Sequence, residues 1–244
     1  MGMVARTGIW SETLHGFDSQ QQLVEETARH EGKHLEQVRT DTFPTRAALL
    51  RGGRSGTQEC RLCRFPHETL RHLLSLCPAL HGQIIRRHNR IVDLLASKAG
   101  EIGWRVRKEF RCRLESGETR VPDLIIHDGG GRAIVVDVAI TYETEQPDVF
   151  ERAYEAKVRK YECLRDYLKA ERLGESVSVH GFVLGSRGAF PEINDPVLKD
   201  IGIRSWHFKA MLSRRFLQMS VDILCQLGVD TPDRWSILDE QYGT

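Results

Sequence analysis

The sequence predicts an α/β chain built on one mixed sheet flanked by helices, with a small cysteine-rich module ahead of the sheet. Three observations predict it. Two runs rich in β-branched residues, Arg120 to Ile126 and Ala133 to Ile140, flank the turn His127-Asp128-Gly129-Gly130-Gly131-Arg132, which is the pattern of a hairpin. A further apolar run, Ser176 to Leu184, reads as a buried strand set apart from the hairpin by a helical stretch. Ahead of both, Cys60, Cys63, His72 and Cys77 fall within eighteen residues.

The elements follow in order. Residues 1–57 read as a polar helical linker segment, with a largely exposed helix over Gln20 to Val38 and a break at Phe43-Pro44-Thr45-Arg46. A short helix through Ala47, Leu49 and Leu50 comes next. Gly52-Gly53-Arg54-Ser55-Gly56 then reads as a flexible linker, and a boundary is placed there. Residues 58–80 form the cysteine module and 81–230 the sheet domain, with 231–244 as an acidic tail. A helix from about Leu80 to Ala99 places Ile84, Ile85, His88, Ile91, Val92 and Leu95 on one broad face and ends at Gly100 and Gly103. A strand through Trp104, Val106, Glu109 and Phe110 precedes the hairpin. Pro147 and Asp148 open a long helix carrying Phe150, Ala153, Tyr154, Lys157, Val158, Tyr161 and Leu164. A last helix spans Trp206 to Leu227, with Leu212, Phe216, Met219 and Ile223 toward the core. The order is helix, three strands, helix, strand, helix.

At 244 residues, with 40% hydrophobic and 28% charged residues, the composition is that of a soluble globular protein with one substantial core. No apolar run reaches the roughly 20 residues needed to span a bilayer, and Met1 to Trp10 lacks the pattern of a signal peptide. An intracellular protein, nuclear and without a membrane partner, is expected. The net charge of +1 hides an asymmetry, because residues 46–90 hold nine arginines against two glutamates and no lysine. Arginine favours bidentate contact with phosphate, although a solvated basic face has the same composition. The tail compensates, with Asp230, Asp233, Asp239 and Glu240 against Arg234.

Cys60-x2-Cys63-x8-His72-x4-Cys77 supplies four soft or borderline ligands. Zinc is the ion expected of thiolate and imidazole, and four protein ligands would close a structural site. His67 competes with His72 for the imidazole position. So short a segment buries too little surface to fold unaided, so metal would be part of its stability. Cys112, Cys163 and Cys225 read as small buried hydrophobes.

Asp123 and Asp137 stand fourteen positions apart on the two hairpin strands, each among apolar residues. An ionised carboxylate in such surroundings is costly unless a cation or donor compensates it, and two converging carboxylates suit a hard divalent cation. Glu109 on the preceding strand is placed to add a third, and Lys157 on the following helix to bring an ammonium. With Mg²⁺ or Mn²⁺ the set suits phosphodiester hydrolysis. Bland readings stand beside this one. Pro122-Asp123 marks a strand edge, and Glu109 between Lys108 and Arg111 faces solvent. Arg159 and Lys160 compete with Lys157, a solvated role fits all three, and Tyr161 belongs to the core.

Pro122-Asp123, Asp137 and the flanking strands resemble the core of the PD-(D/E)xK restriction-endonuclease-like nucleases. With the Cys-Cys-His-Cys module, Arg87-His88-Asn89, Glu109, Asp137-Val138 and Lys157-Val158-x-x-Tyr161 added, residues 40–225 are similar to the C-terminal part of site-specific non-LTR retrotransposon proteins. The resemblance implies an endonuclease that nicks double-stranded target DNA so that the exposed 3′ hydroxyl primes reverse transcription of the element's RNA. It implies metal binding by Asp123 and Asp137 with Glu109 assisting, and the active-site lysine role for Lys157, because Ala139 stands where the wider family has its lysine. Tyr161 is carried over with them, and Arg86, Arg87, His88 and Arg90 are expected to contact nucleic acid. No paired-aspartate signature of a reverse transcriptase occurs in these 244 residues, so two expectations stand: a polymerase region in a longer polypeptide, or an independent gene that retains only the nuclease end. The competing expectations are a non-catalytic zinc-dependent nucleic-acid-binding protein and a structure-specific DNA nuclease.

Overall fold

The structure is a computed structural model that describes residues 33–54, 56–129 and 131–227. Two short helices come first, α1 (Lys33–Arg39) and α2 (Arg46–Arg51), followed by a π turn (His72–Leu76) and a 3₁₀ turn (Pro78–Leu80). Helix α3 (His81–Ile102) then leads into the strands β1 (Arg105–Lys108), β2 (Cys112–Arg113), β3 (Thr119–Arg120), β4 (Leu124–His127) and β5 (Arg132–Thr141). Helices α4 (Val149–Tyr161) and α5 (Leu164–Ala170), strand β6 (Ser176–Gly185), and helices α6 (Asp195–Ile201) and α7 (Trp206–Cys225) follow.

The main sheet has the order β1-β4-β5-β6, antiparallel except for the parallel β5–β6 pair. That mixed α/β arrangement is the one expected. A parallel neighbour needs a crossover, and α4 and α5 supply it. Alternation along the strands separates two cores. Leu124, Ile126, Ile134, Val136 and Val138 face α3, α6 and α7, whereas Ile125, Ala133 and Val135 face α4 and α5 with Tyr161, Leu164 and Leu168. By the same parity Asp123 and Asp137 fall on the α4 side. Leu124 pairs with Val136, so the two aspartates stand level across the hairpin.

Several expectations need correction. The first helix is not largely exposed: Leu35 and Val38 are buried with Phe43 against α7 and the cysteine module, a partner that the polar local sequence does not announce. Residues 1–32 of the expected linker and the tail 231–244 lie outside the described residues. Helix α3 runs through Gly100 and ends at Gly103, whose φ of 105° makes the left-handed cap. Ile85 falls off the buried face of α3 and is exposed. The small β2–β3 hairpin, the break between α4 and α5, and α6 are additions. Cys163 sits in that break and is exposed, unlike Cys112. No helix among the described residues is long and apolar enough to cross a membrane.

Candidate functional site

The four ligand atoms of Cys60, Cys63, His72 and Cys77 lie within 4.8 Å of one another. Cys60 Sγ is 3.9 Å from Cys77 Sγ, and Cys63 Sγ is 3.2 Å from His72 Nε2. Ligands about 2.3 Å from a tetrahedral zinc would stand roughly 3.8 Å apart, so the donor set and its spacing could hold zinc. His72 is buried and His67 exposed, which puts His72, through Nε2, in the cluster. Burial keeps the His72 imidazole below its usual range and pushes the Cys77 thiol up to about 12. The loop is braced by Glu68, fully buried, whose carboxylate accepts from the Arg61 guanidinium at 2.7 Å and from the Arg46 and Arg61 backbone N–H groups at 2.9 and 2.8 Å.

The second constellation forms where β4 and β5 meet α3 and α4. The Asp123 N–H donates to Asp137 Oδ1 at 3.2 Å, and the Val138 N–H donates to Asp123 Oδ2 at 2.6 Å. Each carboxylate is thus clamped by the other strand's backbone. Lys157 Nζ donates to Asp137 Oδ2 at 2.6 Å. Its helix reaches the sheet because Gly181 stands level with Asp137 on β6, and a Cβ there would lie 3.0 Å from the Tyr154 backbone. Lys157 is one helical turn beyond that contact. From the other side His88 Nε2 approaches Asp123 Oδ2 at 3.3 Å. Hydrogen bonding to Asp123 holds the His88 imidazole above its usual range, against the opposing effect of burial. Asp137 is nearly buried and Asp123, Lys157 and His88 are partly open to solvent.

The structure therefore brings Asp123, Asp137, Lys157 and His88 together. Tyr161 is buried, and its hydroxyl donates to the Val121 carbonyl at 2.9 Å, pinning the segment that enters Pro122-Asp123. Burial first, then the Asp137 charge, raises its phenol well above the ordinary range. Glu109 is not in a strand. It follows β1 with φ of 47°, exposed, and its N–H donates to the Asp123 carbonyl at 3.1 Å. Among the described residues the Cys/His cluster is the one group of three or more potential ligands that converges, so the expected Glu109–Asp123–Asp137 trio is not assembled here.

Arg86 and Arg90 are exposed on α3. Arg87 is not available to phosphate and must be reassigned. It is buried, donates to Ser220 Oγ at 2.7 Å and the Leu74 carbonyl at 2.6 Å, and lies 4.8 Å from the centroid of the Phe216 ring. Arg87→Ala is expected to cost about 3 kcal/mol in urea unfolding, from an orphaned carbonyl and a lost cation–π contact, while the salt dependence of DNA binding stays unchanged. Unchanged stability with a reduced salt slope would restore the phosphate role. His88, expected on nucleic acid, instead faces Asp123; its place among the apolar positions of α3 was the available signal. A chain of contacts that the sequence did not suggest links Tyr154 Oη to His180 Nδ1 at 3.0 Å and His180 Nε2 to Asp200 Oδ2 at 2.8 Å, tying α4 and α6 to β6.

No known protein-family model matches the chain. Over 168 residues, 68% of its length, it is 33% identical to a retrovirus-related Pol polyprotein from type-1 retrotransposable element R2 of Popillia japonica. Its homologues are the Pol polyproteins of R2 non-LTR retrotransposons. The R2 protein of Nasonia vitripennis is 30% identical over 184 residues, 74% of the chain, and that of the type-2 element R2DM of Drosophila melanogaster 29% identical over 126 residues, 51% of it. The chain spans about a third of the first R2 polyprotein's length, and 18% and 11% of the other two. The likeness to R2 is thus to one portion of a longer polyprotein.

Proposed function

We propose that this chain is a metal-dependent DNA endonuclease, the nicking portion of a retrotransposon-derived protein with a PD-(D/E)xK-type core. The observation that carries the reading is the pairing of Lys157 with Asp137 across a sheet that also sets Asp123 level with Asp137. R2 homology supports it by making DNA and element RNA reasonable partners.

The residues fit a hard divalent ion. A carboxylate offers about four acceptor sites. Asp123 engages the Val138 N–H and His88, and Asp137 the Asp123 N–H and Lys157 with the Tyr161 hydroxyl also beside it, so oxygen capacity remains on both. Asp123 and Asp137 would hold Mg²⁺ or Mn²⁺, which when bound polarises a phosphoryl oxygen and acidifies water. Lys157 Nζ, already within the site, donates to the oxygens of the scissile phosphate as negative charge grows on them. His88 holds Asp123 from the α3 side, and Tyr161 holds the strand entry through Val121. Arg86 and Arg90 on the exposed face of α3 contact flanking phosphates, and the zinc module sets the start of that helix. Nicking, reverse transcription primed at the nick and a nuclear site of action form the wider reading, with the polymerase supplied by a longer polypeptide.

The test is conversion of supercoiled plasmid to the nicked form by the zinc-loaded protein, with and without Mg²⁺ or Mn²⁺. Metal-dependent nicking is the expected result. DNA binding without cleavage on linear, branched and bubble substrates would overturn the reading in favour of a binding protein.

A further inference from the structure

A cleft of about 230 Å³ opens between α2, the approach to the zinc cluster and the residue that follows β5. Arg51, at the end of α2, and Arg71, just before the π turn, line it. Both are exposed, and neither has an ion-pair partner among the described residues. Three other polar groups of the lining have partners of their own, and the exposed Asp41 carboxylate is the one acidic group among them. Asp41 accepts from the Tyr142 hydroxyl at 2.8 Å, Thr45 Oγ1 from the Ala48 N–H at 3.2 Å, and Thr69 Oγ1 from the His72 N–H at 3.1 Å. Among the described residues that leaves two guanidinium groups without a partner, and their planar forks suit phosphate oxygens.

The Arg46 N–H bond to Glu68 ties α2 to the zinc module, so both arginines ride on the same braced unit.

We propose that the Arg51–Arg71 cleft grips the phosphate backbone of duplex DNA. That this duplex is the nuclease's substrate rests on the nuclease reading; the phosphate contact itself does not.

The experiment is fluorescence anisotropy of a DNA duplex over a salt series without Mg²⁺, using the full zinc-loaded chain. R51A/R71A is expected to weaken binding at least about tenfold and to reduce the slope of log affinity against log salt by about 2, one phosphate for each arginine. R51K/R71K is expected to restore the slope, because lysine keeps the charge. K169A/R172A, near the end of β5 remote from Tyr142, is expected to leave it unchanged. Zinc content and the thermal melt of each variant show that it is folded. An unchanged slope in R51A/R71A, an equal fall in K169A/R172A, or a loss confined to an RNA duplex would each overturn the proposal. Absence of metal-dependent nicking by the wild type together with the reduced slope of R51A/R71A would sink the nuclease reading and leave the contact standing.

Discussion

Asp137→Asn is expected to reduce metal-dependent plasmid nicking by about a thousandfold, since several kcal/mol of charge stabilisation would leave with the carboxylate. Asparagine is chosen because Asp137 is nearly buried and its Oδ1 receives the Asp123 N–H. The amide oxygen can still accept that bond, but the amide nitrogen then meets the Lys157 ammonium donor to donor and the ion pair is lost, whereas alanine strands both the Asp123 N–H and Lys157. Both variants are therefore expected to lose activity, and Asp137→Ala to have the lower thermal midpoint of the two. DNA binding without Mg²⁺ should hold or tighten in the asparagine variant, because one negative charge near phosphate is gone. Nicking by a folded Asp137→Asn at the wild-type rate would remove Asp137 from the chemistry.

His72→Ala is expected to abolish zinc binding and lower the thermal midpoint by about 10 °C or more. The reach of the effect follows from packing. Cys60 and Cys77 belong to the same buried cluster as Leu35, Val38, Phe43, Leu73, Leu74 and Leu80, and that cluster continues onto α7 through Leu217, Val221 and Leu224. Loss of the metal should expose one face of α7 and loosen α1 and the start of α3, so hydrogen exchange should rise in all three segments. His67→Ala should keep zinc and melt like the wild type, because His67 is exposed outside the cluster. Zinc retained at full affinity by His72→Ala would refute the ligand assignment.

Much of the sheet was legible because its signals are local. The two β-branched runs around a Gly-rich turn became β4 and β5, and the apolar run at Ser176 became β6. The cysteine–histidine spacing was equally direct, since all four ligands come from one short segment. Glu109 and Arg87 were misplaced for a common reason. Alternation and charge say that a residue is polar, but not where the chain bends or what packs on it. Glu109 leaves the strand through a left-handed residue conformation, and Arg87 finds Ser220, Leu74 and Phe216 far away in sequence or across a turn.

By itself the sequence determined the strand periodicity, the zinc-type ligand set and the presence of two carboxylates among apolar residues, Asp137 within β5 and Asp123 just ahead of β4, because these depend on near neighbours and on the intrinsic chemistry of each side chain. Tertiary structure alone decided which groups meet them. The level register of β4 and β5 crosses Asp137 onto the Asp123 amide and Asp123 onto the Val138 amide, and the missing side chain at Gly181 lets α4 close until Lys157 reaches Asp137. The packing of α3 turns His88 to Asp123 and sinks Arg87 into the core. Such contacts join residues whose pairing is set by the closure of the whole core, and no local pattern encodes them.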